Sequence, residues 1–376
     1  MTTLGIFVAI IATIALLRFV YAKYALENLD VRLSISAATA TEGDVLILTE
    51  VLTNSKWLPL PWLAVKFQVD RELDFADHTA AVVSDLYYRN DLFHILMHQK
   101  ITRRLAFTCA KRGYYAIRGL EITGWDVLVS QKYIRRYDCD TRLTVYPSTL
   151  EPWETEKLCT RAYGHLRTKH PIHPDPFSFR GIREYSSNDP MKSINHKASA
   201  KALDLMVNVW DFANARQVVL MLDTERYMAW YNETLDERAI KIAASLAEQM
   251  TAQGIPIAFI TNADSILRKK GMLQETSKPE YTRLPEGRGT HQMRAILESL
   301  AYCDINAPRL AQFSNIIAEL ITEGKIEPEY WFISPYYDKT IDEALDKLRD
   351  IGARTTWIMP APMPKDADFA DRVVFV

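Results

Sequence analysis

The polar residues best suited to chemistry lie within residues 177–223. Asn188-Asp189-Pro190 predicts a helix start, because an Asn or Asp cap followed by proline at the first helical position suits a helix N-terminus. Helical spacing then predicts one shared face for four hydrogen-bonding side chains, which are Lys192, Asn195, His196 and Ser199. Such a face can contact an acidic partner or a phosphate.

Two interpretations of this stretch remain open. In the first, Arg183 and Asp189 form a charge-assisted pair that latches two domains together. In the second, four cationic side chains present hydrogen-bond donors to an acidic partner or phosphate, and these are Arg180, Arg183, Lys192 and Lys197. The helix face with Lys192 and His196 is the better candidate for contact with a partner.

The same residues carry a family resemblance. They read Arg183-Glu184-Tyr185-x-x-x-Asp189-x-x-Lys192-x-Ile194-Asn195-His196-x-x-Ser199-Ala200. This resembles the signature of the bacterial family called domain of unknown function 58, roughly R-x-Y-x-x-G-D-x-x-R-x-I-x-W-x-x-S/T-A. Asn188, Lys192 and His196 depart from it. Asn tolerates positive φ almost as Gly does, whereas Lys for Arg loses a bidentate fork.

The resemblance implies a fold, a partner and a set of contact residues. The fold is a von Willebrand factor A-like domain, and the partner is a MoxR-type AAA+ ATPase with chaperone-like action. The residues expected to bind a partner or latch the domains are Arg180, Arg183, Tyr185, Asp189, Lys192, His196 and Ser199.

Asp223 follows a predicted strand directly, at the edge where open α/β sheets bind ligands. In von Willebrand factor A domains this position begins D-x-S-x-S, whose Asp and serines hold Mg²⁺ together with a distant Thr. The resemblance therefore implies a degenerate metal set of Asp223, Glu225 and Thr290, with Mg²⁺ as a possible cofactor. Alternatively, Asp223 caps a turn or pairs with Arg226, and Thr290 caps a helix.

Enzyme fingerprints are lacking in the sequence. It contains no G-x-S-x-G elbow, P-loop or Rossmann glycine motif. The four cysteines are scattered without a C-x-x-C pair, which indicates reduced thiols in a cytosolic body. A net charge of −2 gives no bias toward nucleic acid.

The chain of 376 residues is long enough for several domains, and it begins with an apolar stretch. Residues 4–22 approach the roughly 20 apolar residues that span a bilayer as a helix. Arg18 and Lys23 follow the apolar run, whereas a signal peptide carries its charge before it. By the positive-inside rule we expect a single-pass anchor with a cytoplasmic body.

The remaining chain predicts two folded domains. Residues 30–147 alternate like strands and predict an all-β sandwich. Residues 148–176 are interpreted as a polar connector. Residues 177–376 hold the family signature and then alternate strands with helices, which predicts an open, mostly parallel α/β sheet like that of von Willebrand factor A.

These features predict a multi-domain, membrane-anchored interaction or scaffold protein without enzymatic activity. The expected setting is the assembly of protein complexes or the cell envelope, together with the AAA+ ATPase. The alternative is a divalent-metal-dependent, adhesion-like sensor or hydrolase that uses the degenerate site at Asp223. The two differ in whether Asp223 binds a cation.

Overall fold

The computed structural model describes residues 2–75, 82–83, 86–167, 179–186, 194–202, 204–210, 217–224, 232–269, 272, 281–324, 328–361 and 373–376. The chain forms two compact units. The first comprises residues 1–148, 265–276 and 297–304, and the second comprises residues 149–264, 277–296 and 305–376.

Helix α1 (Thr2–Tyr24) is apolar on every face, as predicted. It is long and apolar enough to cross a membrane. Most of its large side chains are exposed, and Phe19 is still 66% exposed. Tyr21, two residues later, is 2% exposed and packs into the core of the first unit. The helix therefore passes from bare apolar surface to packed core within its last two turns.

The first unit continues with eleven strands. They are β1 (Leu29–Ile35), β2 (Thr39–Thr41), β3 (Val45–Asn54), β4 (Leu60–Asp70), β5 (Leu73–Phe75), β6 (Val82–Val83), β7 (Leu86–Ile95), β8 (Lys100–Cys109), β9 (Gly113–Trp125), β10 (Lys132–Tyr137) and β11 (Thr141–Tyr146). One sheet has the order β1-β3-β8-β5. The other has the order β2-β11-β9-β4-β7-β6, with β10 also paired to β9.

The two sheets share one apolar core, which makes the unit a β-sandwich. Leu48 and Phe107 from the first sheet belong to the same buried cluster as Val65 and Ile122 from the second. Period-2 alternation produces this arrangement, because every second side chain of a strand points to the same face. The prediction of an all-β sandwich after the apolar helix is confirmed by these strands.

The chain then alternates between helices and strands. The elements are α2 (Pro152–Arg167), β12 (Phe179–Glu184), α3 (His196–Ala202), β13 (Met206–Trp210), β14 (Val218–Leu222), α4 (Glu233–Ala252), β15 (Ile257–Thr261), β16 (Asp264–Ser265), α5 (Ile266–Lys269), β17 (Thr282–Gly287), α6 (Gly289–Tyr302), β18 (Cys303–Asp304), α7 (Phe313–Glu323), β19 (Glu329–Ile333), α8 (Lys339–Asp350), β20 (Arg354–Met359) and β21 (Val373–Phe375).

The main sheet of the second unit has the order β17-β15-β14-β19-β20-β21. All neighbouring pairs are parallel except β17 with β15. Helices α7 and α8 cover the face that carries Val219 and Met221. The opposite face contacts α4 and α2. An open, mostly parallel sheet with helices on both faces is what strand–helix alternation predicts.

Two local predictions were wrong. The predicted connector contains helix α2, whose Leu158, Cys159 and Ala162 are buried at helical spacing. The helix predicted to start at Asn188-Asp189-Pro190 is described only from His196 onward. Ile194 cannot belong to it, because it forms an extended bridge with Val207. Residues 187–193 lie outside the described residues.

Candidate functional site

The signature motif is built around a two-stranded ribbon of β12 and β13, in which Glu184 pairs with Met206. Tyr185 donates its backbone N–H to the carbonyl oxygen of Leu205 at 2.8 Å. Arg183 is exposed, and its guanidinium donates to the carbonyl oxygen of Glu184 at 3.0 Å. The ribbon thus displays Arg183 on its surface while Tyr185 is fixed by the backbone.

Asn195 and Ser199 attach α3 to this ribbon. The side-chain oxygen of Asn195 accepts from the N–H of Ala198 at 3.0 Å and caps the helix. Ser199 Oγ donates to the carbonyl oxygen of Asn195 at 2.8 Å and accepts from the N–H of Met206 at 2.9 Å. The prediction that Asn195 and Ser199 share one helix face was wrong, because Asn195 precedes α3 and caps it, whereas Ser199 accepts from Met206 of the ribbon.

The other predicted contact residues divide into three groups. His196 and Lys197 are exposed on the first turn of α3. Arg180 has a described backbone in β12. Asp189 and Lys192 lie outside the described residues. The predicted ion pair between Arg183 and Asp189 therefore stays a prediction. Arg183, His196 and Lys197 are therefore predicted contact residues that the structure places on the surface.

Three polar residues meet at the carboxyl edge of the main sheet. Asp223, Asn262 and Ser334 each follow an apolar strand, namely β14, β15 and β19. Asn262 Nδ2 donates to Asp223 Oδ1 at 2.7 Å, and Ser334 Oγ donates to Asp223 Oδ2 at 3.2 Å. All three are nearly inaccessible, with exposures of 2%, 0% and 1%. Asp223 was predicted at this edge, whereas Asn262 and Ser334 were missed.

Further hydrogen bonds hold Asn262 in place within this cluster. Asn262 Oδ1 accepts from the N–H of Thr224 at 2.9 Å and from its hydroxyl at 3.1 Å. Burial raises the pKa of Asp223 to about 6, although the hydrogen bonds from Asn262 and Ser334 act in the opposite direction. The cluster fastens the ends of three central strands, and both carboxylate oxygens of Asp223 already accept a hydrogen bond.

The predicted metal set is not assembled at this edge. Strand β17 runs antiparallel to β15, and Gly287 pairs with Ile257 at the amino end of β15. Gln292 Nε2 also donates to the carbonyl oxygen of Ile257 at 2.9 Å. Ile257 is level with Val218, which lies five residues before Asp223. The amino end of β15, from which the chain continues to Thr290, is therefore about 16 Å from Asp223 along the strands.

The assignment of Thr290 to the site of Asp223 was therefore wrong. Thr290 is exposed in the first turn of α6, which begins one residue earlier at Gly289. Glu225 lies outside the described residues. Within the described ranges, no group of three His, Cys, Asp or Glu side chains could hold a metal ion.

A cavity of about 190 Å³ lies along one face of the same sheet, beside β14, β15, β17 and β19. Gln217 and Pro328, which precede β14 and β19, line it together with Tyr330. Arg283 also lines it and forms a two-bonded ion pair with Glu323. The cavity also reaches Ile260, which pairs with Met221, two residues before Asp223.

Arg112, in the Lys111-Arg112-Gly113 turn, has a structural role that the sequence did not reveal. Its side chain is 5% exposed, within the first unit. It donates to the carbonyl oxygens of Leu300 at 2.7 Å and Cys303 at 3.0 Å. Tyr115 closes the turn by donating its hydroxyl to the carbonyl oxygen of Lys111 at 2.7 Å. The turn therefore caps the carbonyl end of residues 297–304.

Comparison with known proteins yields only partial structural similarity. No family model matches the chain, and no curated protein matches its sequence. Among solved structures, a CARDB domain from Pyrococcus furiosus with bound di-metal ions is 11% identical, with a TM-score of 0.21, over 32% of this chain and 90% of its own.

Two other structures are similar to the same limited degree. A non-cellulosomal cohesin from Archaeoglobus fulgidus is 12% identical, with a TM-score of 0.21, over 38% of this chain and 99% of its own. The sporulation control protein Spo0M from Bacillus subtilis is 11% identical, with a TM-score of 0.19, over 43% of this chain and 59% of its own. Similarity at this level defines neither a family nor a function.

Proposed function

We propose that this chain is a membrane-anchored interaction protein that holds its two folded units on the cytosolic side of a membrane and does not turn over a substrate. The observation that carries the proposal is the construction of α1. Its apolar surface is exposed up to Phe19, and its last turn is part of the sandwich core. A helix that is apolar on all faces and unpacked suits lipid better than water.

The charges next to the helix support the proposed orientation. Arg18 and Lys23 lie at the end of α1 that joins the sandwich. Basic residues beside a span favour the cytoplasmic side. The sandwich and the α/β unit then face the cytosol, where the four cysteines remain reduced.

The proposed partner is a MoxR-type AAA+ ATPase, and its docking surface is the ribbon of β12 and β13 with the first turn of α3. The resemblance of residues 183–199 to domain of unknown function 58 supports this partner. The surface exposes Arg183, His196 and Lys197, and it also exposes Ile182 and Leu205 at 43% and 50%. Apolar side chains mixed with cations suit a protein partner that carries acidic residues.

A structural role for Asp223 supports the absence of turnover. Its two oxygens accept from Asn262 and Ser334, and these bonds fasten strand ends. The proposed chemistry of the molecule is therefore recognition at the ribbon, with the sheet as its rigid support.

Photocrosslinking in intact cells tests the partner directly. A photoreactive amino acid replaces His196 in one variant and Glu343, an exposed residue of α8, in the control. We expect the position 196 variant to crosslink one AAA+ ATPase, identified by mass spectrometry, and the position 343 variant not to. Equal crosslinking at both positions, or none to an AAA+ ATPase, would overturn the assignment of the partner.

A further inference from the structure

The helix α1 leaves the sandwich at the end where three loops lie side by side. Leu29, at the start of β1, pairs with Asn54 at the end of β3, and Leu60 at the start of β4 pairs with Ile95 at the end of β7. Trp125 at the end of β9 pairs with Lys132 at the start of β10. The loops 55–59, 96–99 and 126–131 therefore lie at one end, and together they are called the loop rim.

The loop rim exposes apolar side chains in all three loops. Trp57 is 60% exposed, and Leu96 and Met97 are 49% and 58% exposed. The third loop presents three consecutive apolar residues, Val127, Leu128 and Val129, each more than half exposed. Contiguous apolar groups at one end of a domain mark a surface that something covers.

Hydrogen bonds fix the loops in this conformation. Asp126 accepts from the N–H of Ser130 at 2.6 Å and from its hydroxyl at 2.5 Å, which closes the loop beneath the three apolar residues. Val129 has a φ of 53°, an uncommon value for a β-branched residue. Asn54 Nδ2 donates to the carbonyl oxygens of Leu58 at 2.9 Å and Leu96 at 2.8 Å. The apolar side chains are thus held outward.

The root of α1 stands directly beside the loop rim. Tyr21 donates its hydroxyl to the carbonyl oxygen of Pro59 at 2.9 Å. Burial acts to raise the pKa of Asp126, but the hydrogen bonds from Ser130 and Gln131, followed by the charge of Arg18 in α1, lower it below its usual value. Only about 3 Å of helical rise separates exposed Phe19 from buried Tyr21. No polar spacer therefore separates the apolar helix from the sandwich.

We propose that the loop rim is a second membrane contact, which lies at the boundary of headgroups and acyl chains in the bilayer that α1 crosses. A bilayer that covers α1 as far as Phe19 must reach the adjacent loops, because the helix enters the sandwich within one turn. Tryptophan at position 57 suits this boundary, where one side of the ring is apolar and the other is wet. The inference rests on the proposed anchoring by α1.

The contact has a mechanical consequence. A single helix permits rotation and tilt of the domain that it carries, whereas three loops seated in the interface fix the orientation of the sandwich on the membrane. The loop rim therefore determines the orientation of the sandwich relative to the membrane.

Depth-dependent quenching in the full-length chain tests the proposal. In a Cys139→Ser background, where the other cysteines are buried, single cysteines carry a solvatochromic fluorophore. Leu128→Cys reports the loop rim, and Ile11→Cys reports the anchor. Val45→Cys is the matched control, because Val45 is 66% exposed at the opposite end of β3. The protein is reconstituted in phosphatidylcholine–phosphatidylglycerol nanodiscs with spin labels at headgroup, shallow or deep acyl positions.

The expected result is a blue-shifted emission at position 128 that is lost most strongly with headgroup and shallow spin labels. Position 11 should respond to deep labels and position 45 to none. A water-exposed probe at 128 with a deep probe at 11 would overturn the loop contact and leave the anchor standing. A blue-shifted but unquenched probe at 128 would also overturn it, since a protein would then cover the loops. Water exposure at both positions would overturn the anchor itself.

Discussion

At the scale of single residues, Glu50 is a buried carboxyl group of the sandwich with a strongly raised pKa. It is fully buried beside Asp91, whose carboxylate pairs with Arg89 at 3.0 Å and Arg103 at 2.9 Å. Burial, followed by the charge of Asp91, raises the pKa of Glu50 to about 8. The folded state therefore holds a proton on Glu50 at neutral pH, which the unfolded state releases.

The sign of the pH dependence follows from that proton. Because the folded state binds more protons, the free energy of unfolding should fall as the pH rises from about 4.5 to about 8, by at most ~1.4 kcal/mol per pH unit. Glu50→Gln should remove this slope and stabilise the sandwich at pH 8. Hydrogen exchange of the β3 amides across this pH range measures it. Glu156→Gln, at an exposed position, is the control and should leave the slope of unfolding free energy against pH unchanged. The same unchanged slope in Glu50→Gln would show that a group other than Glu50 binds the proton.

The hydrogen bonds of Asp223 predict that it does not bind a divalent cation. Since both of its oxygens accept hydrogen bonds and Thr290 lies at the far edge, we expect calorimetric titration with Mg²⁺ or Mn²⁺ to give equal heats for the wild type and Asp223→Asn. Asparagine keeps the side-chain volume, so the variant tests charge and not packing. Heat that disappears only in Asp223→Asn would restore the metal-dependent alternative.

Sequence predicted part of this cluster. Asp223 was recognised because a carboxylate after an apolar strand is a known position for a site. Asn262 and Ser334 are also the first polar residues after apolar strands, and that shared position is a signal that could have found them. Their convergence, however, depends on which strands are neighbours, and hydropathy does not encode strand order.

At the scale of elements, Lys56 joins α1 to the sandwich. It is 6% exposed, and its ammonium donates to the carbonyl oxygens of Ala25 at 2.6 Å and Glu27 at 2.9 Å. Lys56→Met should lower the free energy of unfolding by about 1–3 kcal/mol, because buried carbonyls lose their donor. Lys23→Met, at an exposed position of α1, should change it by less than about 0.5 kcal/mol. Thermal unfolding in detergent micelles compares the two variants, and equal effects would contradict the role of Lys56.

Arg112 makes a similar connection elsewhere in the first unit. Removing its bonds to Leu300 and Cys303 in Arg112→Ala should destabilise residues 297–304 by about 2–3 kcal/mol, since the guanidinium is charged and buried. Hydrogen exchange localises the loss. Arg104→Ala, on the exposed side of β8, is the matched control. Faster exchange spread evenly over the sandwich in both variants would rule out a local cap.

Element prediction succeeded where one period dominated and failed elsewhere. The strands of the sandwich and the alternation of β14, α4 and β15 were found from hydrophobic periodicity. Helix α2 was missed because most of its residues are polar, and the few buried apolar ones, such as Leu158 and Ala162, give only a weak helical pattern. Strand β17 was not predicted, and its antiparallel pairing with β15 places Gly287, three residues before Thr290, at the amino end of β15.

At the scale of the whole molecule, the order of apolar helix, sandwich and α/β sheet was evident in sequence because each has its own hydropathy pattern. The sequence did not show which segments make up each unit. Residues 265–276 and 297–304 belong to the first unit although they lie within the sequence of the second. Contacts between segments so far apart in the chain leave no local periodic signal. The docking surface and the proposed ATPase likewise rest on resemblance.

The last prediction concerns the orientation of the chain in the membrane. Arg18 and Lys23 flank the body end of α1, whereas Thr2 and Thr3 are uncharged, so protease added to intact cells should leave the folded units uncut and should digest them in inverted vesicles. A variant with Thr2→Lys, Thr3→Lys, Arg18→Ser and Lys23→Ser reverses the charge bias and should expose part of the population to external protease. Digestion of the wild-type units from outside would contradict a cytosolic body. It would also remove the proposed ATPase, because such a partner acts where nucleotide is present.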